Sequence, residues 1–214
     1  LICADGTVYW IVDKRKLLPH VTKNFDRDII IQDIEQIGLI LKEIVSKLTN
    51  IAVDKSRVPI FLVSVLENAG TKVINGPDPC LLPKACKNDI EVEGIRAAHI
   101  RDGVAMTFFL AWLDKMAPKG LVTEISAAEY LEDCRSRGNL VRDLSFRTIS
   151  GTGPNGAIVH YDVTSKTNKL LQPGDLYLID SGAQYLDGTT DVTRTIYITG
   201  PDGGPSSEEK DRFT

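Results

Sequence analysis

The pattern of apolar and polar positions changes character twice along the chain. Residues 7–12 form a strand-like run, and residues 1–4 followed by Asp5-Gly6 complete a strand, turn, strand pattern in front of it. Ile34, Ile37, Leu41, Ile44 and Leu48 then recur at helical spacing and predict one buried helix face over 34–48. Residues 51–53 and 59–65 are short apolar runs that fit either a strand or a short helix. This alternation predicts an α/β unit, closed by the turn formers Asn75-Gly76-Pro77-Asp78-Pro79. A domain boundary is expected just after them, near Lys84 to Lys87, dividing residues 1–84 from 85–214.

Helical periodicity takes over at Asn88, a candidate N-cap with Glu91 three residues on, and good helix formers continue to about Met116. The expected buried stripe is Ile95, Ala98, Val104, Phe108 and Ala111. A second helix is expected after Thr123, with Ile125, Ala128, Leu131 and Cys134 inward and Gly138 just past its end. After Gly138 the sequence turns to strands, predicted over 144–149, 157–161, 176–179 and 193–198 and joined by Gly, Pro, Asn and Asp. Two helices followed by consecutive strands argue for an α+β domain with a largely antiparallel sheet. At the far end Ser206 and Glu209 have capping-box spacing and predict the start of a helix. With no initiator Met and a strand pattern already under way at Leu1, the chain reads as a piece cut at both ends.

Composition narrows the function classes. A net charge of -4 and a pI near 5.4 give no uniform basic field, which argues against nucleic acid and anionic membrane surfaces as partners. Charged residues interrupt every apolar run before it reaches the roughly 18 to 20 residues that span a bilayer. Cys3, Cys80, Cys86 and Cys134 are irregularly spaced and contain no Cys-x-x-Cys pair, which fits reduced thiols in a cytoplasm. His20, in a Pro-flanked loop, and His99, beside Arg96 and Arg101, read as surface residues.

Candidate chemistry concentrates in two stretches. Asp180 ends the apolar run Tyr177-Leu-Ile-Asp180, a costly place for a carboxylate unless something compensates its charge, and a metal ion would. Asp191 follows eleven residues later across a turn-rich segment. An odd separation allows both carboxylates to share one face of an antiparallel hairpin, directly opposed if the loop is wide or carries a bulge, and a bulge is the expectation. Hard oxygen donors suit Mn²⁺, Mg²⁺ or Ca²⁺. Two Asp residues flanking a hairpin are also common as turn formers or surface ion-pair partners, so spacing alone leaves both readings open. His160 is placed at the end of the predicted strand 157–161, after the glycine-rich Gly151-Thr-Gly-Pro-Asn-Gly156, where it could donate a hydrogen bond or shuttle a proton. The glycines are not a phosphate loop, because no Gly-Lys-Ser/Thr follows.

The blocks Ser150-Gly-Thr-Gly-Pro-Asn-Gly-Ala-Ile-Val-His160-Tyr161 and Leu178-Ile-Asp-Ser-Gly-Ala-Gln-Tyr-Leu-Asp-Gly-Thr-Thr-Asp-Val-Thr-Arg-Thr195 resemble the Xaa-Pro aminopeptidase family of pita-bread metallopeptidases, most nearly its cytosolic three-domain branch. Residues 84–105 and 120–128 share the resemblance. It implies a creatinase N-terminal-like middle domain over 1–84 and the first half of the catalytic domain over 85–214. It further implies that Asp180 and Asp191 are two metal ligands and that His160 contacts substrate. A His and two Glu would complete a site for two Mn²⁺ ions beyond Thr214. The implied intact enzyme is a cytoplasmic homodimer that uses metal-activated water to release the first residue of peptides with a free N-terminus and proline in second position. The alternatives are a prolidase-type dipeptidase, a metal-free creatinase-type hydrolase and a non-catalytic pita-bread binding module, the last two disfavoured because His160, Asp180 and Asp191 occur together.

Overall fold

A computed structural model describes residues 5–23, 28–46, 48–200 and Gly204. The expected first strand over 1–4, Cys3 and the Ser206–Glu209 helix start lie outside them. The chain divides into two compact units, Leu1–Cys86 and Lys87–Thr214.

The first unit is built from parallel strand pairs with intervening helices. Strand β1 (Val8–Ile11) leads through the short helix α1 (Pro19–Thr22) to β2 (Ile29–Gln32), which pairs with it in parallel. Helix α2 (Ile37–Val45), strand β3 (Asn50–Val53), helix α3 (Ile60–Asn68), strand β4 (Lys72–Asn75) and the short helix α4 (Leu81–Ala85) follow. Strands β3 and β4 also pair in parallel, as a crossover through a helix requires. The ambiguous run at 59–65 is therefore helical: Pro59, which lacks an N–H, stands at the N-terminus of α3, where no intrahelical donor is needed. Leu41 and Val45 of α2 pack against Val65 and Leu66 of α3 in a small core. The predicted helix over 34–48 is shorter at both ends. Asp33 accepts a hydrogen bond from the Ile34 N–H and starts a 3₁₀ turn, so α2 begins only at Ile37, and Ile34 and Leu48 are exposed.

The second unit sets two helices on one face of an antiparallel sheet. Helix α5 (Asp89–Met116) has the expected capping box, with the Asn88 side chain accepting from the Glu91 N–H and the Glu91 carboxylate accepting from the Asn88 N–H. Helix α6 (Glu124–Ser136) is capped the same way by Thr123 and Ser126. Strands β5 (Val141–Leu144), β6 (Ile149–Thr152), β7 (Leu176–Ser181), β8 (Ala183–Tyr185) and β9 (Val192–Tyr197) form an antiparallel β6-β7-β9 sheet and an antiparallel β5-β8 pair. The core joins Met106, Phe109 and Leu113 of α5, Ala127 and Leu131 of α6, and Tyr177 and Ile179 of β7.

The structure corrects several sequence expectations here. Of the predicted α5 stripe only Ala98 is fully buried; Val104 and Phe108 are exposed, and Asp102, Ala105, Met106 and Phe109 face inward. The helix is apolar on much of its circumference, so periodicity alone does not choose its buried side. The single strand expected over 144–149 is the junction of two, β5 ending at Leu144 and β6 beginning at Ile149. The strand expected over 157–161 is absent: the chain runs through a 3₁₀ turn (Gly153–Ala157) into further turns.

Cys80 and Cys86 are exposed thiols and Cys134 is buried, its pKa raised chiefly by desolvation. Because thiolate is the reactive form, alkylation of the folded chain followed by peptide mapping is expected to mark Cys80 and Cys86 and spare Cys134 until denaturant is added. Equal labelling of Cys134 would contradict this packing. Among the described residues no helix is long and apolar enough to cross a membrane.

Candidate metal and substrate site

Alternation along β7 turns Tyr177, Ile179 and Ser181 into the core and leaves Leu178 and Asp180 on the opposite, open face of the sheet. Asp180 is half-buried and Asp191 exposed. The expected bulge between them is not formed. Asp180 pairs with Thr193 and Ser181 with Val192, and the same register continues through a bridge from Gln184 to Thr189 and a 2.8 Å hydrogen bond from the Tyr185 N–H to the Gly188 carbonyl. Leu186 and Asp187 therefore turn the chain, and the hairpin is centred one residue later than direct opposition of the two aspartates needs. Asp191 lies opposite Gly182, diagonal to Asp180. A slip of two residues preserves the face, so the two carboxylates share the open side of the sheet at a diagonal separation of roughly 7–8 Å between their backbones. Between them the Thr193 hydroxyl donates to Asp180 Oδ1 at 2.8 Å.

The hairpin is fixed from behind by a buried polar cluster. The Arg135 guanidinium donates through Nε to Asp102 Oδ1 at 2.7 Å and through Nη2 to Asp102 Oδ2 at 3.0 Å, and its Nη1 donates to Ser181 Oγ at 3.0 Å. The Tyr185 hydroxyl donates to Asp102 Oδ1 at 2.9 Å. Burial, followed by this bond to a carboxylate, pushes the Tyr185 phenol well above its ordinary pKa, so it remains a donor. A bidentate pair anchored on α5 and α6 thus holds β7 beside Asp180 and β8 beside the turn. Two glycines permit the close approach: a Cβ on Gly182 would stand 1.9 Å from the Thr190 carbonyl oxygen, and one on Gly94 would stand 2.3 Å from that of Asp187. Arg101 also pairs with Asp187 at the hairpin tip and lies over the Tyr185 ring, 5.2 Å from its centroid.

His160 sits elsewhere on this unit, on the loop that follows β6. It is exposed and adopts a left-handed backbone with φ of 54°, where the sequence placed a strand end. Such a conformation costs a non-glycine residue about 1 to 2 kcal/mol and persists only when neighbours enforce it. The loop is flanked by bonds to Glu124, a fully buried carboxylate at the start of α6. Its Oε1 accepts from the Thr152 N–H at 2.8 Å and the Asn155 amide at 2.9 Å, and its Oε2 accepts from the Tyr161 hydroxyl at 3.2 Å and the Lys169 N–H at 3.1 Å. Beneath it Ser150 Oγ spends its one proton on the Glu124 carbonyl, so the Tyr177 hydroxyl must be the donor in their 2.7 Å contact.

Asp180 and Asp191 are brought to one face by the hairpin, while His160 is placed on a separate loop of the same unit with no hydrogen bond to either. Among the described residues no group of three or more His, Cys, Asp or Glu side chains is gathered as a metal cluster. What the chain offers is a partial donor set of two hard carboxylates on an accessible surface, suited to Mg²⁺, Mn²⁺ or Ca²⁺ rather than to softer metals. His20 and His99 are exposed, and His99 Nδ1 is 2.9 Å from the Ile95 carbonyl within its own helix. Sequence reasoning does not single out Glu124, Asn155, Tyr161, Asp102 or Arg135. The one local signal is an acidic residue in the first turn of a helix, which ordinarily reads as a dipole partner rather than an organiser of a distant loop.

Residues 93–214 match metallopeptidase family M24, and residues 1–91 match the creatinase/prolidase N-terminal domain. A probable Xaa-Pro aminopeptidase P of Aspergillus flavus is 40% identical over 211 residues, covering 95% of this chain and 32% of its own length. An uncharacterised peptidase of Schizosaccharomyces pombe is 40% identical over 204 residues, covering 95% of this chain and 33% of its own. Among solved structures, the cytosolic X-prolyl aminopeptidase of Caenorhabditis elegans, described as having a di-nuclear active site, superposes with a TM-score of 0.81 at 29% identity, over 94% of this chain and 33% of that one. The chain thus spans about a third of the length of the curated relatives it matches.

Proposed function

Given that the chain belongs to metallopeptidase family M24, we propose that it is the part of an Xaa-Pro aminopeptidase that supplies the first two metal ligands, Asp180 and Asp191, and the substrate-side His160. The observation that carries this reading is the hairpin itself: two carboxylates on one open sheet face, inside the stretch that matches the family, held by a buried ion pair. Residues 1–84 form a creatinase N-terminal-like domain and 85–214 the beginning of the catalytic domain, a division supported by the two family matches and by the two compact units. Two carboxylates are too few donors for two hard cations, so the remaining ligands come from outside the described residues.

When bound, a pair of divalent ions would polarise the scissile carbonyl and make a nucleophilic water available near neutral pH. The chain's own residues bind and orient. Asp180, kept in one rotamer by the Thr193 hydroxyl, and Asp191 present anionic oxygens that hold cations and attract the ammonium group of a peptide N-terminus. Charge at that end selects exopeptidase action. The exposed His160 imidazole is free to donate to a substrate carbonyl or to the oxyanion that replaces it, or to move a proton. Manganese as the metal, a cytoplasmic location, proline-containing peptides with a free N-terminus as substrates and a homodimeric intact enzyme complete the proposal. The sequence resemblance supports all four, and the similarity to X-prolyl aminopeptidases, one of them described as cytosolic, adds support for the substrate class and the location.

The test is turnover of Xaa-Pro-Xaa peptides by the full-length protein, with Mn²⁺ present or chelated, beside Xaa-Pro dipeptides. Metal-dependent release of the first residue from the longer peptides is expected; activity on dipeptides alone would replace this reading with a prolidase. His160→Ala is expected to lower kcat by on the order of 10²-fold at unchanged metal content. An unaltered rate would return His160 to an ordinary loop residue.

A further inference from the structure

The geometry points to Glu124 as a positioning residue that acts through His160, an inference that rests on the reading of His160 above. The loop from Gly153 to Tyr161 is tied to this carboxylate at three points: Thr152 where it begins, Asn155 in its 3₁₀ turn and Tyr161 where it ends. The last tie is adjacent to His160. The imidazole has no hydrogen-bond partner among the described residues, so its direction is set by its backbone, and that backbone is left-handed. The residue after His160 is fixed. Tyr161 is buried, its hydroxyl contacts Glu124 Oε2, the Asn155 amide and the Thr167 carbonyl at 2.8 to 3.3 Å, and its N–H donates to the Ile158 carbonyl at 3.1 Å.

The chemistry of the anchor is specific to a carboxylate. The backbone N–H groups of Thr152 and Lys169 and the Asn155 amide can only donate to the Glu124 carboxylate, and the Tyr161 hydroxyl has its one proton to share between Oε2 and the Thr167 carbonyl. Glutamine has the same shape but one end of its amide is itself a donor, and because each carboxylate oxygen receives one backbone N–H, either orientation sets that amide against the N–H of Thr152 or of Lys169. No Lys or Arg pairs with Glu124 among the described residues. The expected consequence is a loop that samples several arrangements, with His160 in its productive direction only part of the time.

Full-length Glu124→Gln, His160→Ala and the double variant decide the matter. The single Glu124→Gln change is expected to lower kcat on an Xaa-Pro-Xaa peptide about tenfold or more, to leave KM within about twofold and to leave metal stoichiometry unchanged. The double variant is expected to be no slower than His160→Ala alone, within about twofold, because Glu124 acts only through the histidine. Losses that multiply, a kcat for Glu124→Gln near that of the unmodified enzyme, or loss of metal would each overturn the inference. If Glu124→Gln does not fold, Tyr161→Phe removes only the hydroxyl; its smaller loss should likewise vanish in the His160→Ala background, and persistence there overturns the inference. If His160→Ala itself has no effect, the reading of His160 falls and takes this inference with it. A large His160 effect with multiplying losses sinks the inference alone.

Discussion

In the full-length enzyme, Asp180→Asn or Asp191→Asn is expected to reduce turnover by on the order of 10³-fold or more, with loss of bound metal and little change in thermal stability. Asparagine keeps the size of the side chain and, at position 180, an oxygen for the Thr193 hydroxyl to donate to, so the hairpin should hold. What it removes is the negative charge that a hard divalent cation requires. Metal polarisation is worth several kcal/mol of transition-state stabilisation, and each 1.4 kcal/mol is about tenfold in rate. Stability should be nearly unaffected because both carboxylates lie on the open face of the sheet rather than in its core. Paired measurements of kcat, metal content and melting separate these effects. Full turnover with a full complement of metal in either variant would remove that aspartate from the site.

Arg135→Ala is expected to have the largest effect on stability, about 3–5 kcal/mol, because it strands a buried carboxylate. The side chains of Arg135 and Asp102 are 1% and 4% exposed, and the guanidinium supplies both carboxylate oxygens as well as Ser181. With it gone, Asp102 retains the Tyr185 hydroxyl but no cation. The transition of the second unit should fall by on the order of 10 °C. Replacing both partners together, Asp102→Leu with Arg135→Met, should recover much of that loss, since an apolar pair of similar volume carries no unpaired charge. Catalysis should not recover with it: Ser181 and Tyr185 would lose their partners, and the strand that carries Asp180 would no longer be fixed from behind. Melting curves and kcat on the two variants beside the unmodified enzyme check this, and a double variant as unstable as Arg135→Ala would contradict the account of the pair.

Local signals carried the parts of the structure that depend on local chemistry. The cap of α5 is readable because Asn88 with Glu91 satisfies orphan backbone groups within one turn, and the start of α6 after Thr123 is readable too, although its Thr123–Ser126 cap is seen only in the fold. The α/β character of the first unit is readable from its alternating signals, whereas the parallel pairing of its strands is seen only in the fold. Hairpin parity put Asp180 and Asp191 on one face, and that survives; the pairing itself does not follow from parity, because it is set by where Leu186 and Asp187 turn the chain against α5. The inward side of α5 was unreadable for a similar reason. Asp102 is polar in sequence and buried in the fold, because Arg135, 33 residues away, neutralises it. The loop of His160 is the clearest case: residues 157–161, Ala-Ile-Val-His-Tyr, have strand-like composition, but they lie in turns whose flanks bond to Glu124, 28 residues before Thr152 and 37 before Tyr161.

The central claim is that the two aspartates of this hairpin hold metal together, and a crystal structure of the full-length protein with Mn²⁺, with anomalous scattering recorded at the manganese edge, tests it most directly. The account predicts anomalous density within coordination distance of the carboxylate oxygens of both Asp180 and Asp191, on the open face of the β6-β7-β9 sheet. Manganese bound elsewhere, with both carboxylates hydrogen-bonded only to protein and water, would contradict it.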